Sequence, residues 1–147
     1  MEVEDEGGKA RVAERRWQVD TIGPDIDANG QLLEARLADG QAGFCSVREN
    51  RGGRLVSLAW GRSTGFAVDP VEKKPVFHFL PGTPTLSLAT VGCNLHCKNC
   101  QNWEISQQAP EAVPADAVPP ERLPLLAAQA GCPSVSFTYT DPVVYYE

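Results

Sequence analysis

Long apolar runs are missing from this chain. Nowhere do about eighteen consecutive apolar residues occur, and residues 1–30 hold no apolar core of the kind a secretory signal carries. The expectation is a cytoplasmic protein with no membrane partner. Basic charge is also scarce: 13 Lys and Arg stand against 19 Asp and Glu, a formal net charge of −6, and the cations are scattered. Without a basic stripe to neutralise phosphates, nucleic acid is not expected as a partner. A disulfide framework is absent too, because three of the five cysteines are crowded into one short loop. That usage fits a reducing compartment in which thiolates stay available to metal. At 147 residues the chain has the length of one ordinary domain and enough apolar content for a core.

What the chain does have is Cys93-Asn94-Leu95-His96-Cys97-Lys98-Asn99-Cys100, a C-x3-C-x2-C triplet directly after the apolar residues 86–91. Three thiolates on one loop suit a soft metal centre, and iron–sulfur clusters are held by cysteine thiolate. Three ligands on a four-iron cluster leave one iron open to a small molecule. Structural zinc ordinarily takes two C-x2-C pairs, or a Cys/His mixture whose second pair is well separated, and this loop has one uneven triplet only. A ferredoxin-like run would add a fourth cysteine before a proline. Cys132 precedes Pro133, but it lies beyond a predicted helix and reads as a buried thiol at a helix–strand turn. His96 could complete a Cys3His zinc set, although a histidine inside such a loop is ordinarily solvent-facing or packed. A non-catalytic site for iron–sulfur or zinc therefore stands as the alternative to a reactive cluster.

Taken in order, residues 1–16 open acidic, turn basic and show no apolar period, which reads as a mobile tail. Residues 31–37 are a short helical candidate. Residues 54–60 alternate polar and apolar like a half-buried strand, with Gly52-Gly53 as the turn before it. Glu72-Lys73-Lys74-Pro75 reads as a solvated charged turn, and His78, alternating with apolar neighbours, as a packed side chain. Residues 85–91 form an apolar strand whose carboxyl end delivers the cysteine loop, the place where α/β folds put their sites. Residues 109–120 read as an extended connection and residues 120–131 as a helix with Pro near its start and Gly131 as its stop. Residues 134–139 are the next strand, so strand, helix and strand make a right-handed parallel βαβ unit. Asp141-Pro142 starts a further helix. The domain expectation is a mobile or divergent segment over 1–40, a small β-rich lead-in over 41–83, and an α/β unit over 84–147.

The stretch from Thr90-Val91-Gly92-Cys93 through Cys100-Gln101-Asn102-Trp103 to Gln107 resembles radical SAM enzymes, and within them the AmmeMemoRadiSam-system branch, itself similar to pyruvate formate-lyase activating enzymes. Gly43-Phe44-Cys45-Ser46-Val47-Arg48 and the stretch from Asp69-Pro70 to Pro81-Gly82 resemble the same branch, so the similarity covers residues 37–147 with several motifs in order. The resemblance implies the N-terminal part of a partial (β/α) barrel of radical SAM type, preceded by the β-rich lead-in. It implies a 4Fe-4S cluster on Cys93, Cys97 and Cys100, with S-adenosyl-L-methionine on the fourth iron as source of a 5′-deoxyadenosyl radical. Where the branch carries Tyr-Asn-Glu-Pro, this chain has Tyr139-Thr140-Asp141-Pro142, which makes Thr140 and Asp141 the residues expected at the amino group of S-adenosylmethionine, with helix capping as the other reading of Asp141. Implied partners are a one-electron donor such as flavodoxin or ferredoxin, and Memo-like and AMMECR-like proteins. Two departures stand out: Cys45 is alone where the branch has a C-x2-C-P group, and Asn99 occupies a place often held by an aromatic residue. Cys45 is thus expected to be an ordinary buried thiol. Since a barrel needs further units, the chain is also expected to be the N-terminal part of a longer protein, a truncated product, or half of a split pair that needs a missing C-terminal half.

Overall fold

The computed structural model describes residues 37–145. The predicted N-terminal tail and all but the last residue of the helical candidate at 31–37 lie outside the described residues.

Strands β1 (Arg48–Arg51) and β2 (Arg54–Ser57) form an antiparallel hairpin closed by Gly52 and Gly53 at φ 60° and 79°. Two consecutive left-handed residues are what a primed two-residue turn requires, and glycine supplies them without steric cost. The predicted strand at 54–60 is present but ends at Ser57. Strand β3 (Arg62–Ser63) pairs antiparallel with β6 (Asp116–Ala117), a contact the sequence reading did not expect from the 109–120 connection.

The sheet that carries the site is three-stranded, in the order β4 (Gly65–Pro70), β5 (Pro84–Ala89), β7 (Ser134–Phe137). Strand β5 pairs antiparallel with β4 and parallel with β7. Its last five residues are buried, and its side chains divide between the two faces with a period of two. Leu86 packs with Ala127, Cys132, Leu126 and Val135, which covers the apolar face with helix α2 (Leu123–Gln129). Thr85 and Ser87 point to the other face, where Thr85 Oγ1 and Ser136 Oγ share a hydrogen bond of 2.8 Å. A polar face this deeply buried calls for hydrogen bonds between strands, and Thr85, Ser87 and Ser136 make them.

Helix α2 follows a 3-10 turn at Pro120–Arg122, and Pro124 lies in the first turn of the helix, where proline is tolerated. Gly131 at φ 69° ends it: Gly131 N–H donates to the Ala128 carbonyl and Cys132 N–H to the Ala127 carbonyl, the reciprocal pair of a glycine-terminated helix. Cys132 is buried at that turn, as the sequence indicates. The second apolar cluster, Cys45, Val47, Ala59, Val91 and Val144, joins the lead-in to the segments after β5 and β7. Cys45 is a member of that core.

One expectation fails outright. His78 is exposed, as are Val76, Phe77, Phe79 and Leu80 around it, because residues 76–80 form a bend and not a strand and so have no second layer to pack on. Among the described residues no helix is long and apolar enough to cross a membrane.

Candidate functional site

Beyond β5 the chain must turn sharply, and Gly92 makes this possible. Its φ is 85°, and a Cβ there would lie 2.3 Å from the Cys45 carbonyl oxygen and 2.6 Å from Val47 Cγ1. Gly92 N–H donates to the Ile105 carbonyl at 2.8 Å, so the cysteine loop leaves and rejoins the body at one point. The short helix α1 (Trp103–Ser106) forms the returning end.

Within this loop Cys93 is buried, Cys100 half-buried and Cys97 exposed. Cys93 Sγ accepts the Asp141 backbone N–H at 3.4 Å, and Cys100 Sγ and Ser106 Oγ are 3.2 Å apart in a hydrogen bond. Asn102 Nδ2 donates to the Tyr139 carbonyl at 2.7 Å and ties the loop to the residues that follow β7. All three cysteines line one cleft of about 710 Å³, together with Thr140 and Asp141. That volume lies within the about 300–1,000 Å³ typical of small-molecule sites.

Thr140 is buried, and its hydroxyl donates to the Thr90 carbonyl at 3.3 Å, which joins the ends of the parallel strands. Asp141 Oδ1 accepts the Val143 N–H at 3.0 Å and caps the 3-10 helix Pro142–Tyr145. The capping role is therefore occupied, by one oxygen of two. His96 rests against the Phe44 ring, centroids 3.9 Å apart, and does not line the cleft.

The structure adds a group that sequence reasoning passed over. Asp69, on β4, is buried and its carboxylate accepts four hydrogen bonds: Lys73 Nζ at 2.7 Å, Lys74 Nζ at 2.6 Å, Ser87 Oγ at 2.9 Å and Tyr139 Oη at 2.8 Å. The two ammonium groups first, then the hydroxyls, hold the Asp69 carboxyl far below the usual carboxylate range. Asp69 in turn raises the Lys73 ammonium. Lys74 Nζ also stands 4.8 Å from the centroid of the Tyr139 ring. Lys73, Lys74 and Tyr139 all line the cleft, so residues 72–75 are more than the solvated turn their composition suggests. Tyr139 has φ 72°, a conformation that costs a non-glycine residue of the order of 1–3 kcal/mol and persists only where surroundings impose it. Asn102 at its carbonyl and Asp69 at its hydroxyl are those surroundings. A signal was available: adjacent lysines four and five residues after an aspartate near a strand end can turn back onto it.

The thiol donors are soft and share one cleft, and in that respect they fit an iron–sulfur cluster. Among the described residues, however, no three His, Cys, Asp or Glu side chains stand close enough to hold a metal ion as they are. Ligation would require the three thiols to draw closer together.

The arrangement is that of a small-molecule cleft at the carboxyl ends of two parallel strands, with thiols on one side. The chain is similar to the uncharacterized protein MJ0808 of Methanocaldococcus jannaschii, with 47% identity over 111 residues, 76% of this chain and 33% of that protein. It thus spans about a third of the length of the curated relative it matches. No family model matches the chain. No solved structure matches it either.

Proposed function

We propose that this chain is the N-terminal portion of a radical SAM protein, with a partial (β/α) barrel begun by β5, α2 and β7. In this reading Cys93, Cys97 and Cys100 hold a 4Fe-4S cluster, and Asp141 and Thr140 border the S-adenosylmethionine site. The observation that carries it is the shared cleft: the three thiols of the C-x3-C-x2-C loop and the Thr140-Asp141 turn line one cavity of small-molecule size. When bound, the pair supplies one-electron radical chemistry, and the chain's own contribution is to bind and orient it. Asp141 keeps one carboxylate oxygen beyond its capping bond, and that oxygen is available to an ammonium group. Electrons would come from a flavodoxin or ferredoxin, and partner proteins of Memo and AMMECR type belong to the same proposal.

Anaerobic reconstitution with iron and sulfide tests this. The expected result is a brown protein with about four irons per chain, as for one cubane. Cys93→Ala, Cys97→Ala and Cys100→Ala should each lose it, while Cys45→Ala and Cys132→Ala keep it, since those two thiols sit in apolar clusters away from the cleft. Iron lost with Cys45 or Cys132 would refute the ligand set. Tight zinc without sulfide would establish instead a non-catalytic metal-binding module.

A further inference from the structure

The chain has four lysines, Lys9, Lys73, Lys74 and Lys98, and two of them are adjacent and converge on a single carboxylate. The Asp69 carboxylate receives four donors on two oxygens, Lys73, Lys74, Ser87 and Tyr139, which fills its acceptor positions and fixes both ammonium groups in place. The charge count leaves an excess: two ammonium groups against one carboxylate is a net +1 in a chain whose formal charge is −6.

Position gives that excess a direction. Asp69 does not line the cleft; Lys73 and Lys74 do. The negative member of the cluster is thus behind the wall and the positive members form it. Each ammonium carries three N–H donors and gives one to Asp69, which leaves two on each. Lys74 is further fixed over the Tyr139 ring and its side chain is only 12% exposed, whereas Lys73 is 60% exposed and can adjust to a ligand. Asp141 is the one acidic side chain in the lining, and one of its two oxygens is engaged in capping. A preset pair of cations, held by a buried anion and aimed into a concave site, is the arrangement that recognises an oxyanion.

We propose that Lys73 and Lys74, anchored on Asp69, form an oxyanion subsite in the wall of the cleft that takes a carboxylate or phosphate group of a small-molecule ligand. The subsite requires the cleft alone and is independent of the iron–sulfur reading. Its ligand is either the carboxylate of an S-adenosyl compound or an anionic group of a second small molecule.

The test uses the full chain without metal, labelled with 13C-lysine. Four Cε signals are expected, assigned by single Lys→Arg changes. Addition of inorganic phosphate at constant ionic strength against chloride should shift the Lys73 and Lys74 signals saturably and leave Lys9 and Lys98 in place. Lys73→Met should weaken phosphate binding about tenfold, the usual effect of removing one charge-assisted bond. Lys73→Arg should restore it to within about twofold, and Lys98→Met should leave it unchanged. Displacement of phosphate by S-adenosylhomocysteine assigns the subsite to the cofactor's carboxylate, and its persistence in the presence of S-adenosylhomocysteine assigns it to a second ligand. Either four parallel shifts, which mean screening by an adventitious ion only, or no shift at Lys73 and Lys74 overturns the proposal. Because no iron is present, a failed cluster reconstitution leaves this result standing, and the reverse also holds.

Discussion

Replacing Gly92 by alanine is the sharpest test of how the cysteine loop is seated. Two separate costs follow from the structure. The first is conformational: at φ 85° an alanine sits in the left-handed region, which costs about 1–2 kcal/mol. The second is steric. The new methyl group would stand 2.3 Å from the Cys45 carbonyl and 2.6 Å from Val47 Cγ1, and neither neighbour yields easily, one being backbone and the other fully buried. Forced overpacking of this kind costs about 1–3 kcal/mol, so the sum is about 2–5 kcal/mol out of the about 5–15 kcal/mol that a domain has. Gly131→Ala is the matched control: it has φ 69° but nothing within 4 Å of its would-be Cβ, so it bears only the first cost. Urea unfolding of the two variants, followed by circular dichroism, isolates the clash. With a slope of about 1–3 kcal/mol per molar urea, Gly92→Ala should unfold on the order of 1 M earlier than Gly131→Ala. Coincident midpoints would mean that the loop does not pass over Cys45 as described.

Asp69 has a lowered carboxyl pKa in the folded chain, so its contribution is complete above the ordinary carboxylate range and is lost as pH falls through and below it; Asp69→Asn should flatten the acid limb of a stability-against-pH curve, and an unchanged limb would refute its pairing. Asn102→Ala removes the bond to the Tyr139 carbonyl and should cost about 1 kcal/mol in urea unfolding while speeding the loss of reconstituted iron to a chelator; equal iron retention would show that the loop needs no tether. Asp141→Asn keeps the oxygen that caps residue 143 and removes the charge, so the cluster should still assemble while S-adenosylmethionine, measured by equilibrium dialysis, binds about tenfold more weakly; undiminished affinity would leave Asp141 with capping alone.

The elements along β5, α2 and β7 were legible because each is announced locally: an apolar run, a proline and a glycine bracketing a helix, and the alternating, β-branched and aromatic residues 134–139. The hairpin was legible from Gly52-Gly53. Strand β4 was not, because its alternation misleads: Phe66 and Val68 face outward, 37% and 55% exposed, while Ala67 and Asp69 face inward. An aspartate is accommodated inside only because partners 4, 5, 18 and 70 residues away converge on it, and no window of sequence contains them. His78 was misread for the opposite reason, since a period of two implies burial only where a sheet exists to receive it. In the site, the cysteine triplet and the Thr140-Asp141 turn could be named from spacing and resemblance. The lysine pair, four and five residues after Asp69, offered a local signal, but its place in the cleft wall beside Tyr139 depends on the Asp69–Tyr139 contact across 70 residues.

The Asp69 carboxylate has a consequence for how this molecule is assembled. It is a single side chain on β4 bonded to β5 through Ser87 and to the residue after next beyond β7 through Tyr139. Sliding β4 along β5 by one residue would turn the carboxylate to the opposite face, and sliding it by two would bring Ala67 or Val71 to its place; either error discards the bonds to Ser87 and Tyr139 together. A mispaired sheet is therefore penalised in one step and not gradually. Because the same group sets Lys73, Lys74 and Tyr139 in the cleft wall, correct strand alignment and a competent cleft arise together, and a chain that captures a ligand there certifies that its three strands have found their partners.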